Sequence, residues 1–590
     1  MNYKAPISQI MLALNHAAGM QDGITSGIFS DLDNGLAAAV LDEAARFGEN
    51  ILAPINHSGD KAGAALKDRI VTTAPGWSAA YEQWVAGGWN ALTGPASHGG
   101  QALPLLLNAA CLEIWSAANM AFTLCPVLGM GAVEAVATHG SESLKATFLS
   151  KMVSGAWTGT MNLTEPQAGS DLALLRTRAE RADDGSYRIK GQKIYITYGE
   201  HDMAENIVHL VLARLPDAPA GTRGISLFLV PKFLVNADGS LGARNDVFCS
   251  GMEEKMGIHA SPTCTMIFGD QTGAIGWLIG EENRGLNCMF TMMNNARLAT
   301  ALQGVAIASI ATQKATEFAR ERRQGRAVGD GSPGPVPIIQ HPDVRRNLMI
   351  MRTMTAAARA ICYRTAQALD YAQRAPDAGA REAAGARAAL LTPLAKAFSS
   401  DIGNEVTSLG VQVHGGMGFI EETGAAQYMR DARIVAIYEG TNGIQAIDLV
   451  QRKLGLAEGT TLAFEIADMR ATLAVLAQRN SPGFGKTHER LSAAVDSFEQ
   501  AANWLHQTLG ASPALALAGA TPFLRIFGLT RGGVSLAAMA LAAINEGDGA
   551  EAVNDARFFA ECLATAAPGL ALSVMEGGSF ALEPAYPGGH

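Results

Sequence analysis

The chain has 590 residues, too many for one ordinary hydrophobic core, so several domains are expected. A formal net charge of -10 and the absence of any sustained Lys/Arg run argue against a nucleic-acid groove, because phosphate binding requires clustered cations. Small molecules or proteins are therefore the expected ligands. Charged residues make up only 17% of the chain, which predicts extra buried surface between subunits and hence an oligomer.

The cysteines and the apolar segments indicate a reducing, aqueous environment. No C-x-x-C pair occurs, so reduced thiols are expected rather than a zinc site; the cysteines lie at positions 111, 125, 249, 264, 288, 362 and 562. No basic segment followed by an apolar core opens the chain, and no stretch is expected to reach the roughly eighteen apolar residues of a membrane span. These features predict a soluble, cytoplasmic protein.

Helical patterns dominate the first part of the chain. After a leader segment, residues 1–35, the run LAAAVLDEAARFGENILAPI repeats apolar residues at helical spacing, and similar patterns continue to about Gly155. The glycines and proline of ASHGGQALP predict a turn between two helices. Residues 36–157 are therefore predicted to form an N-terminal α-helical domain.

The next segments have the texture of strands. Short β-branched and aromatic runs, bounded by Gly, Pro or Asp, predict a middle β domain over residues 158–280. Strict alternation in YRIKGQKIYITYG would divide one strand between two faces, with Ile194, Ile196 and Tyr198 toward the core and Tyr195 and Thr197 toward the outside.

Helical patterns return from about Arg284 and continue to the end of the chain. The loop GRAVGDGSPGPVP interrupts them as a linker or a mobile hairpin, because its glycines and prolines cannot continue a helix. The segment LAKAFSSDIGNEVTSLGVQV has apolar residues at helical spacing and stops at HGGMG. We expect an α-helical bundle domain over residues 281–455 and an extra C-terminal α domain over residues 456–590.

Three motifs have both an ordinary and a functional interpretation. LTEPQAGSD, from Leu163 to Asp171, is either an ordinary polar turn or a turn whose amides and hydroxyls face a planar or anionic ligand. The motif taken alone favours the ordinary turn. FARERRQGR is either a solvated charged face or a diphosphate clamp of guanidinium groups. VQVHGGMG is either a glycine-stopped helix end or a close-approach site with Gln412 as an amide donor. His414 is expected to be structural, since no second ligand recurs at metal-binding spacing.

Glu439 is the candidate base. It lies in RIVAIYEGTNGIQAIDLV, after an apolar run and before Gly440 and Thr441. One interpretation is a surface acid at the start of a helix over residues 442–454, where the helix dipole favours negative charge. The other is a carboxylate shielded from water, whose raised pKa would make it a stronger base.

Together the motifs resemble a known enzyme family. T-E-P-x-A-G-S-D, K-I-Y-I-T, A-R-E-R-R-Q-G, Q-V-H-G-G-M-G-F, M-R-D-A-R-I and I-Y-E-G-T, in this order and in an α-β-α setting, resemble the acyl-CoA dehydrogenase family over roughly residues 36–455. The opening segment and the extra tail resemble its large-subunit bacterial branch. The implied fold class is α+β, with an N-terminal α-helical domain, a middle β-barrel or sandwich domain, an α-helical bundle domain and an extra C-terminal α-helical domain.

The resemblance implies a FAD cofactor, an acyl-CoA substrate and oxidation of the acyl Cα–Cβ bond to a trans-2-enoyl-CoA. Glu439 would abstract the α-proton while the β-hydride passes to flavin N5. Its backbone amide would bind the thioester carbonyl, and Gly440 would let the thioester approach closely. Electron-transfer flavoprotein would then accept the electrons.

The resemblance also assigns two sets of cofactor residues. The flavin set is Leu163, Thr164 and Ser170 along the turn, with Tyr195 and Thr197 against the isoalloxazine ring. Many relatives have Trp where this chain has Tyr195. The diphosphate set, which would reach FAD held mainly by a neighbouring subunit, is Arg322, Gln412, Gly416 and Thr441. RRQGR lacks the Phe that many relatives place before the glycine, on the adenine side.

The substrate set is Ser170, Arg297 and Gly440. Some relatives carry the base one residue before Arg297, where this chain has Ala296, so Glu439 has no rival by motif. Arg297 would order the active site or the CoA arm. The branch resemblance implies a short or medium acyl chain, including 3-(methylthio)propanoyl-CoA, and a homodimer stabilised partly by the C-terminal domain, with four chains as the alternative.

Two competing functions share these motifs. An acyl-CoA oxidase would differ in how readily oxygen reaches reduced flavin, and peroxide formation under air would identify it. A flavin-containing, DNA-associated binding protein would carry a basic stripe on the C-terminal domain. That tail is instead Ala-rich with scattered acids such as Glu546, Asp548 and Glu551, which favours an enzyme without a nucleic-acid partner.

Overall fold

The computed structural model describes residues 3–329, 334–479, 482–547 and 549–583. Helices precede and follow a region of strands. The helices before the main sheet are α1 (Ile7–His16), α2 (Met20–Thr25), α3 (Asn34–Phe47), α4 (Ala53–Ala62), α5 (Trp77–Ala86), α6 (Leu105–His139), α7 (Glu142–Leu144) and α8 (Ser150–Ser154). The strands are β1 (Ala65–Lys67), β2 (Ile70–Thr72), β3 (Trp157–Asn162), β4 (Arg178–Arg181), β5 (Tyr187–Thr197), β6 (Asn206–Arg214), β7 (Ile225–Pro231), β8 (Phe233–Val235), β9 (Leu241–Arg244), β10 (Val247–Met252), β11 (Thr263–Phe268) and β12 (Ala274–Ile279).

The remaining helices form two series. The first series is α9 (Gly285–Glu321), α10 (Pro342–Arg374), α11 (Ala378–His414), α12 (Ala425–Ala432) and α13 (Asn442–Asp448). The second series is α14 (Thr460–Arg479), α15 (Thr487–Ala511), α16 (Pro513–Ala518), α17 (Ala520–Asn545), α18 (Ala550–Cys562), α19 (Ala567–Glu576) and α20 (Gly578–Leu582). This order confirms the predicted α+β class with extra C-terminal helices.

The described chain divides into two compact units. The first comprises residues 3–4, Ala44–Pro104 and Ala118–Ala299. The second comprises Ala5–Glu43, Leu105–Ala117 and the described residues from Thr300 onward.

The first unit is built on an eight-stranded sheet. Its order is β10-β11-β5-β12-β7-β6-β3, with β4 beside β5 and β6. β3 and β6 run parallel, whereas β6 and β7 are antiparallel. Trp157, Met292 and Leu227 belong to one apolar cluster, and Phe228 and Met266 belong to another. Because apolar side chains cover both faces of the sheet, β6 and β7 are buried along almost their whole length.

Close helix packing organises the second unit. A Cβ on Gly304 of α9 would lie 2.4 Å from the Ser399 carbonyl oxygen of α11, so these two helices approach backbone to backbone. A Cβ on Gly528 of α17 would lie 2.1 Å from the Phe398 ring of α11. Gly304 therefore lets α9 and α11 pack closely within the helical bundle, and Gly528 lets the C-terminal helix α17 pack directly on that bundle.

The expectation that no segment could span a membrane by length and composition is wrong. Three described helical segments qualify, namely Leu105–His139, Ala520–Asn545 and Ala550–Glu576, with mean hydropathies of 1.7, 1.5 and 1.5. In the folded chain, 72%, 89% and 33% of their most apolar windows are buried. Burial inside the protein accounts for the composition of the first two segments.

Candidate active site

One buried carboxylate fixes the turn that follows β3. Glu165 and Ala168 exchange backbone hydrogen bonds of 2.9 and 3.0 Å, which close the turn. The Glu165 side chain points inward, where it accepts from the N–H of Arg176 at 2.7 Å and from the N–H and hydroxyl of Thr177 at 3.0 and 2.6 Å. Ser170 stays exposed beyond the turn.

Lys193 completes a buried ion pair with this carboxylate. Its ammonium is fully buried on β5 and donates to Glu165 and to the Leu163 carbonyl, each at 2.9 Å. Burial opposes the Glu165 charge, but attraction to Lys193 and the hydrogen bond from Thr177 lower the pKa of Glu165 to about 2. The turn is therefore anchored to β5 through a charge pair.

A β-bulge in β5 turns one aromatic side chain outward. Lys193 pairs with Met266 and Ile196 pairs with Cys264, so two residues of β5 face one residue of β11. Tyr195 lies in this bulge with a φ of 60°, in the left-handed region. As a result, 59% of the Tyr195 surface is exposed.

The bulge corrects the predicted alternation along β5. Ile196 and Tyr198 are buried as predicted, and Thr197 is partly exposed. Ile194, predicted to face the core, is only partly buried, and its N–H donates to the Thr164 carbonyl at 3.0 Å. The extra residue of the bulge shifts the side-chain phase by one, so Lys193 takes the buried position.

Two neighbouring residues of α9, Ala296 and Arg297, differ in exposure. Ala296 is buried, and Arg297 beside it is partly buried. A hydrogen bond of 2.8 Å joins His139 Nε2 at the end of α6 to the Thr291 hydroxyl in this part of α9. Burial lowers the pKa of His139, which favours its neutral form.

The loop that carries Glu439 joins a short 3-10 helix, Arg433–Ala436, to α13. Thr441 caps α13 by accepting from the Ile444 N–H at 3.3 Å. Between these elements, Glu439 and Gly440 both have left-handed backbone, with φ of 56° and 84°. This conformation costs a non-glycine residue about 1–3 kcal/mol, so the surroundings must hold Glu439 in place.

Hydrogen bonds fix the loop on both sides of Glu439. Gln445 is fully buried, and its Nε2 donates to the carbonyl oxygens of Glu439 and Gly440 at 3.2 and 3.4 Å. The Tyr438 hydroxyl donates to Gln303 Oε1 on α9. Burial raises the pKa of Tyr438, which keeps this hydroxyl protonated. The Glu439 residue itself is partly exposed.

An exposed surface follows the end of α11. The helix stops at His414 because Gly415 has a φ of 60°. Gln412 and Gly416 are both exposed here. The neighbouring Phe419 is an apolar side chain with 84% of its surface exposed, which suits a surface covered by a ligand or another chain.

His414 makes two contacts inside the fold. Its Nδ1 donates to the Gly410 carbonyl at 2.7 Å, and its ring stacks on Phe318 with 4.5 Å between centroids. Burial lowers its pKa, which favours the neutral ring. The described residues contain no group of three or more His, Cys, Asp or Glu side chains suited to a metal ion.

Arg322 lies one residue beyond α9, which ends at Glu321. Its side chain is exposed. The interrupting loop begins as a hairpin, because Gln324 donates its N–H to the Val336 carbonyl at 3.0 Å. Residues 330–333 of that loop lie outside the described residues.

Family models match consecutive parts of this fold. The acyl-CoA dehydrogenase N-terminal domain matches residues 37–156, the middle domain residues 160–271 and the C-terminal domain residues 283–454. An acetyl-CoA dehydrogenase C-terminal-like model matches residues 465–583. The chain belongs to the FAD-dependent acyl-CoA dehydrogenase family, a family of flavoprotein oxidoreductases, and carries an extra C-terminal domain.

Similar proteins cover most of the chain. It is 46% identical to 3-methylmercaptopropionyl-CoA dehydrogenase of Ruegeria pomeroyi, over 96% of this chain and 95% of that protein. It is 36% identical to a butyryl-CoA dehydrogenase of Syntrophomonas wolfei, over 82% and 80%. An acyl-CoA dehydrogenase of Bacillus anthracis, solved in complex with FAD, has the same fold, with a TM-score of 0.76 at 22% identity over 94% and 89%.

The motifs predicted the turn after β3, the strand β5 and the Glu439 loop, but they did not predict the buried residues Glu165, Lys193 and Gln445. Glu165 and Lys193 both lie inside motifs that were recognised. The only sign of their burial in the sequence is a charged residue within a segment that otherwise forms a turn, for Glu165, or a strand, for Lys193. Gln445 lies six residues after Glu439, where helical spacing alone does not show that its side chain returns to the loop.

Proposed function

We propose that Glu439 is the catalytic base of this acyl-CoA dehydrogenase and removes the α-proton of an acyl-CoA thioester. The observation that carries the proposal is the loop itself, which holds a partly exposed carboxylate on left-handed backbone through hydrogen bonds from Gln445. Strain of this kind concentrates at functional sites. Partial withdrawal from water makes a carboxylate a stronger base.

The chemistry needs more than a base. The α-C–H of a thioester is a very weak acid, so the charge that develops on the carbonyl oxygen must be stabilised as the proton leaves. We assign one hydrogen bond to this oxygen to the backbone N–H of Glu439. Gly440 has no side chain to obstruct the thioester. FAD, when bound, supplies the hydride acceptor for oxidation of the Cα–Cβ bond to the trans-2-enoyl-CoA.

The first unit offers residues that fit a flavin ring. Tyr195 presents an exposed aromatic side chain, beside the partly exposed Thr197. In the turn after β3, the carbonyls of Leu163 and Thr164 accept hydrogen bonds from β5. Ser170 of the same turn is exposed. A preorganised aromatic and hydroxyl surface suits a planar heterocycle. We assign these residues to the FAD site.

The second unit offers residues that fit a diphosphate. Arg322 and Gln412 are exposed donors, and an added Cβ on Gly416 would meet no atom within 4 Å. With Thr441, these residues form the proposed diphosphate set, in which Arg322 supplies the guanidinium. The exposed Phe419 supports cover by a second chain, and hence a homodimer with four chains as the alternative.

A short or medium acyl-CoA is the proposed substrate, with 3-(methylthio)propanoyl-CoA favoured. The support is the identity of 46% with the Ruegeria pomeroyi protein, which extends over nearly the whole of both chains. Ser170, Arg297 and Gly440 are assigned to the substrate. The Syntrophomonas wolfei protein supports butyryl-CoA as a competing acyl chain.

Electron-transfer flavoprotein is the proposed electron acceptor, and the cytoplasm the proposed location. Family membership supports the acceptor. The burial of most of the apolar windows in Leu105–His139 and Ala520–Asn545 supports an aqueous environment. An acyl-CoA oxidase would instead form peroxide under air. A DNA-associated function gains no support, because acidic residues outnumber basic ones over residues 456–590.

Anaerobic titration of the flavin-loaded protein with an acyl-CoA panel tests the activity and the substrate together. We expect flavin absorbance to bleach with butyryl-CoA, pentanoyl-CoA and 3-(methylthio)propanoyl-CoA, and to bleach at the lowest concentration with the last. Pentanoyl-CoA is the matched control because its chain has the same number of non-hydrogen atoms. Equal or better binding of pentanoyl-CoA would remove the thioether preference, and bleaching with none of them would contradict the proposed function.

Replacing the base separates proton removal from binding. In Glu439→Gln the amide keeps the shape but cannot accept the proton, so FAD should remain bound while bleaching slows by roughly 100-fold or more. Stopped-flow absorbance under nitrogen measures the rate. The control is Glu422→Gln, an exposed acid of the same region, which should bleach like the parent. Normal bleaching in Glu439→Gln would show that another group takes the proton.

A further inference from the structure

Lys396 is a buried cation that contacts the Glu439 loop from α11. Its neighbours Ala395 and Ala397 are also buried, and the Lys396 side chain has no exposed surface. The ammonium donates to the Gly440 carbonyl at 2.7 Å and to Asn442 Oδ1 at 3.0 Å. Burial of an ammonium costs free energy unless strong acceptors compensate, so these two contacts matter for its presence in α11.

Asn442 links this cation to a carboxylate. Its side-chain oxygen accepts from Lys396 and also from the Ser400 hydroxyl at 3.0 Å. Its side-chain nitrogen donates to Asp401 Oδ1 at 2.6 Å and to the Ala397 carbonyl at 3.2 Å. The amide group therefore lies between a positive and a negative charge, which polarises and strengthens both hydrogen bonds.

The contacts bracket the strained part of the loop. The Gly440 carbonyl receives hydrogen bonds from both Lys396 and Gln445, and Asn442 is the first residue of α13. Gln445 also binds the Glu439 carbonyl. After Gly440, the Thr441 hydroxyl accepts from α13 and the Asn442 side chain accepts from Lys396 of α11. Fixing one peptide plane after Glu439 and the start of the next helix limits the φ and ψ angles available to the base.

We propose that Lys396 is a positioning residue that holds the Glu439 loop in the geometry required for proton removal. This inference rests on the proposed role of Glu439 as the base. Lys396 acts through the Gly440 carbonyl and the Asn442 amide rather than by contact with the reacting atoms. Its loss would allow the base to leave its catalytic position without removing the residues assigned to FAD or acyl-CoA.

The test is Lys396→Met, which keeps the length of the side chain and removes its donors. Flavin-loaded protein is mixed anaerobically with saturating butyryl-CoA, and the bleaching rate, the FAD occupancy and the butyryl-CoA dissociation constant are measured. We expect bleaching at least tenfold slower, with occupancy and dissociation constant within about twofold of the parent. Deuterium at the α-carbon should slow the variant more than the parent, because proton removal becomes fully rate-limiting.

Arg387→Met is the matched control. Arg387 is another largely buried cation of α11, but it donates to Glu465 at 2.9 Å, away from the loop. The Arg387→Met variant should have a lower thermal midpoint than the parent, but the bleaching rate of the folded protein should be unchanged. Lys396→Arg, which keeps a charged donor, should recover part of the rate. Parent-like bleaching in folded Lys396→Met would overturn the proposal.

Asn442→Ala decides the question if Lys396→Met does not fold. It removes the link to Asp401 while Lys396 and the Gly440 carbonyl remain, so bleaching several-fold slower is expected and an unchanged rate would overturn the proposal. Glu439→Gln keeps the two hypotheses apart. If it is inactive while the Lys396 and Asn442 variants are normal, only the positioning role fails. If Glu439→Gln bleaches normally, the base assignment itself fails.

Discussion

Two residues assigned to the site, Tyr195 and Glu439, have left-handed backbone that a non-glycine residue adopts only at a cost. Their immediate surroundings explain how each is maintained. Tyr195 lies in a bulge between paired residues of β5 and β11, and Glu439 has its carbonyl bound by Gln445. The unusual dihedral accompanies an exposed side chain in Tyr195 and a partly exposed residue in Glu439. Local strain is thus coupled to the positions of the Tyr195 ring and of the proposed base.

The aromatic side chain of Tyr195 can be tested alone. Tyr195→Phe keeps the ring, so its affinity for FAD should stay close to that of the parent. Tyr195→Ala keeps the backbone constraint but loses the stacking surface, which is worth about 0.5–1.5 kcal/mol, so its FAD dissociation constant should rise roughly two- to tenfold. Quenching of flavin fluorescence during reconstitution of the apoprotein measures this constant. Equal affinities for the three proteins would remove Tyr195 from the FAD site.

At the scale of elements, the turn after β3 and the strand β5 behave as one assembly. The Lys193 ammonium binds Glu165 and the Leu163 carbonyl, and the backbone of β5 binds Thr164. Removal of either charge would leave the other buried without its partner, which is more damaging than the loss of an exposed pair. The outer surface of the turn therefore depends on an ion pair beneath it.

This ion pair predicts a specific acid sensitivity. The pKa of Glu165 falls from 4.5 to about 2 in the folded chain, so its stabilising contribution is complete above pH 4.5 and is lost as the pH falls toward 2. The difference in thermal midpoint between the parent and Glu165→Gln, measured from pH 7 down to about pH 2, should therefore shrink below pH 4.5 and be smallest at the acid end.

The control for this pH series is Glu180→Gln, an exposed acid on β4. Its midpoint should follow that of the parent at every pH. Parallel curves for the parent and Glu165→Gln would mean that the buried carboxylate does not titrate with folding, and the electrostatic account of the turn would then be wrong.

At the scale of the whole molecule, buried charges attach the C-terminal helices to the helical bundle. Arg531 of α17 is buried and donates to Glu465 and Asp468 of α14 at 3.0 and 2.6 Å. Arg387 of α11 donates to the same Glu465 at 2.9 Å, and Arg364 of α10 donates to Asp468 at 2.6 Å. The C-terminal helices therefore share a charge network with the bundle that carries Glu439.

Breaking this network should destabilise the second unit. Arg531→Met leaves Glu465 buried with one partner fewer and should cost about 3–5 kcal/mol of the free energy of unfolding. Arg525→Met, the control, breaks a more exposed pair with Glu405 and should cost less than about 1 kcal/mol. Chemical denaturation monitored by circular dichroism gives both values. A loss of similar size in the two variants would contradict the proposed importance of the buried network.

Sequence by itself determined the order of helical and strand regions and the motifs of the family, because these depend on hydrophobic periodicity and on short, contiguous residue patterns. It therefore located the turn at Leu163, the strand that carries Tyr195 and the loop that carries Glu439. It could not decide the phase of β5, since a bulge depends on the partner strand as well as on the strand itself.

Only the tertiary structure decided which polar groups lie beneath the site. Lys193 meets Glu165 from strand β5, and Lys396 meets Gly440 from a helix that ends 26 residues earlier in the chain, at His414. Such contacts follow from long-range packing, which leaves no local period in the sequence. The same reason explains the apolar helices, because composition records that Ala520–Asn545 avoids water but not that neighbouring helices rather than lipid surround it.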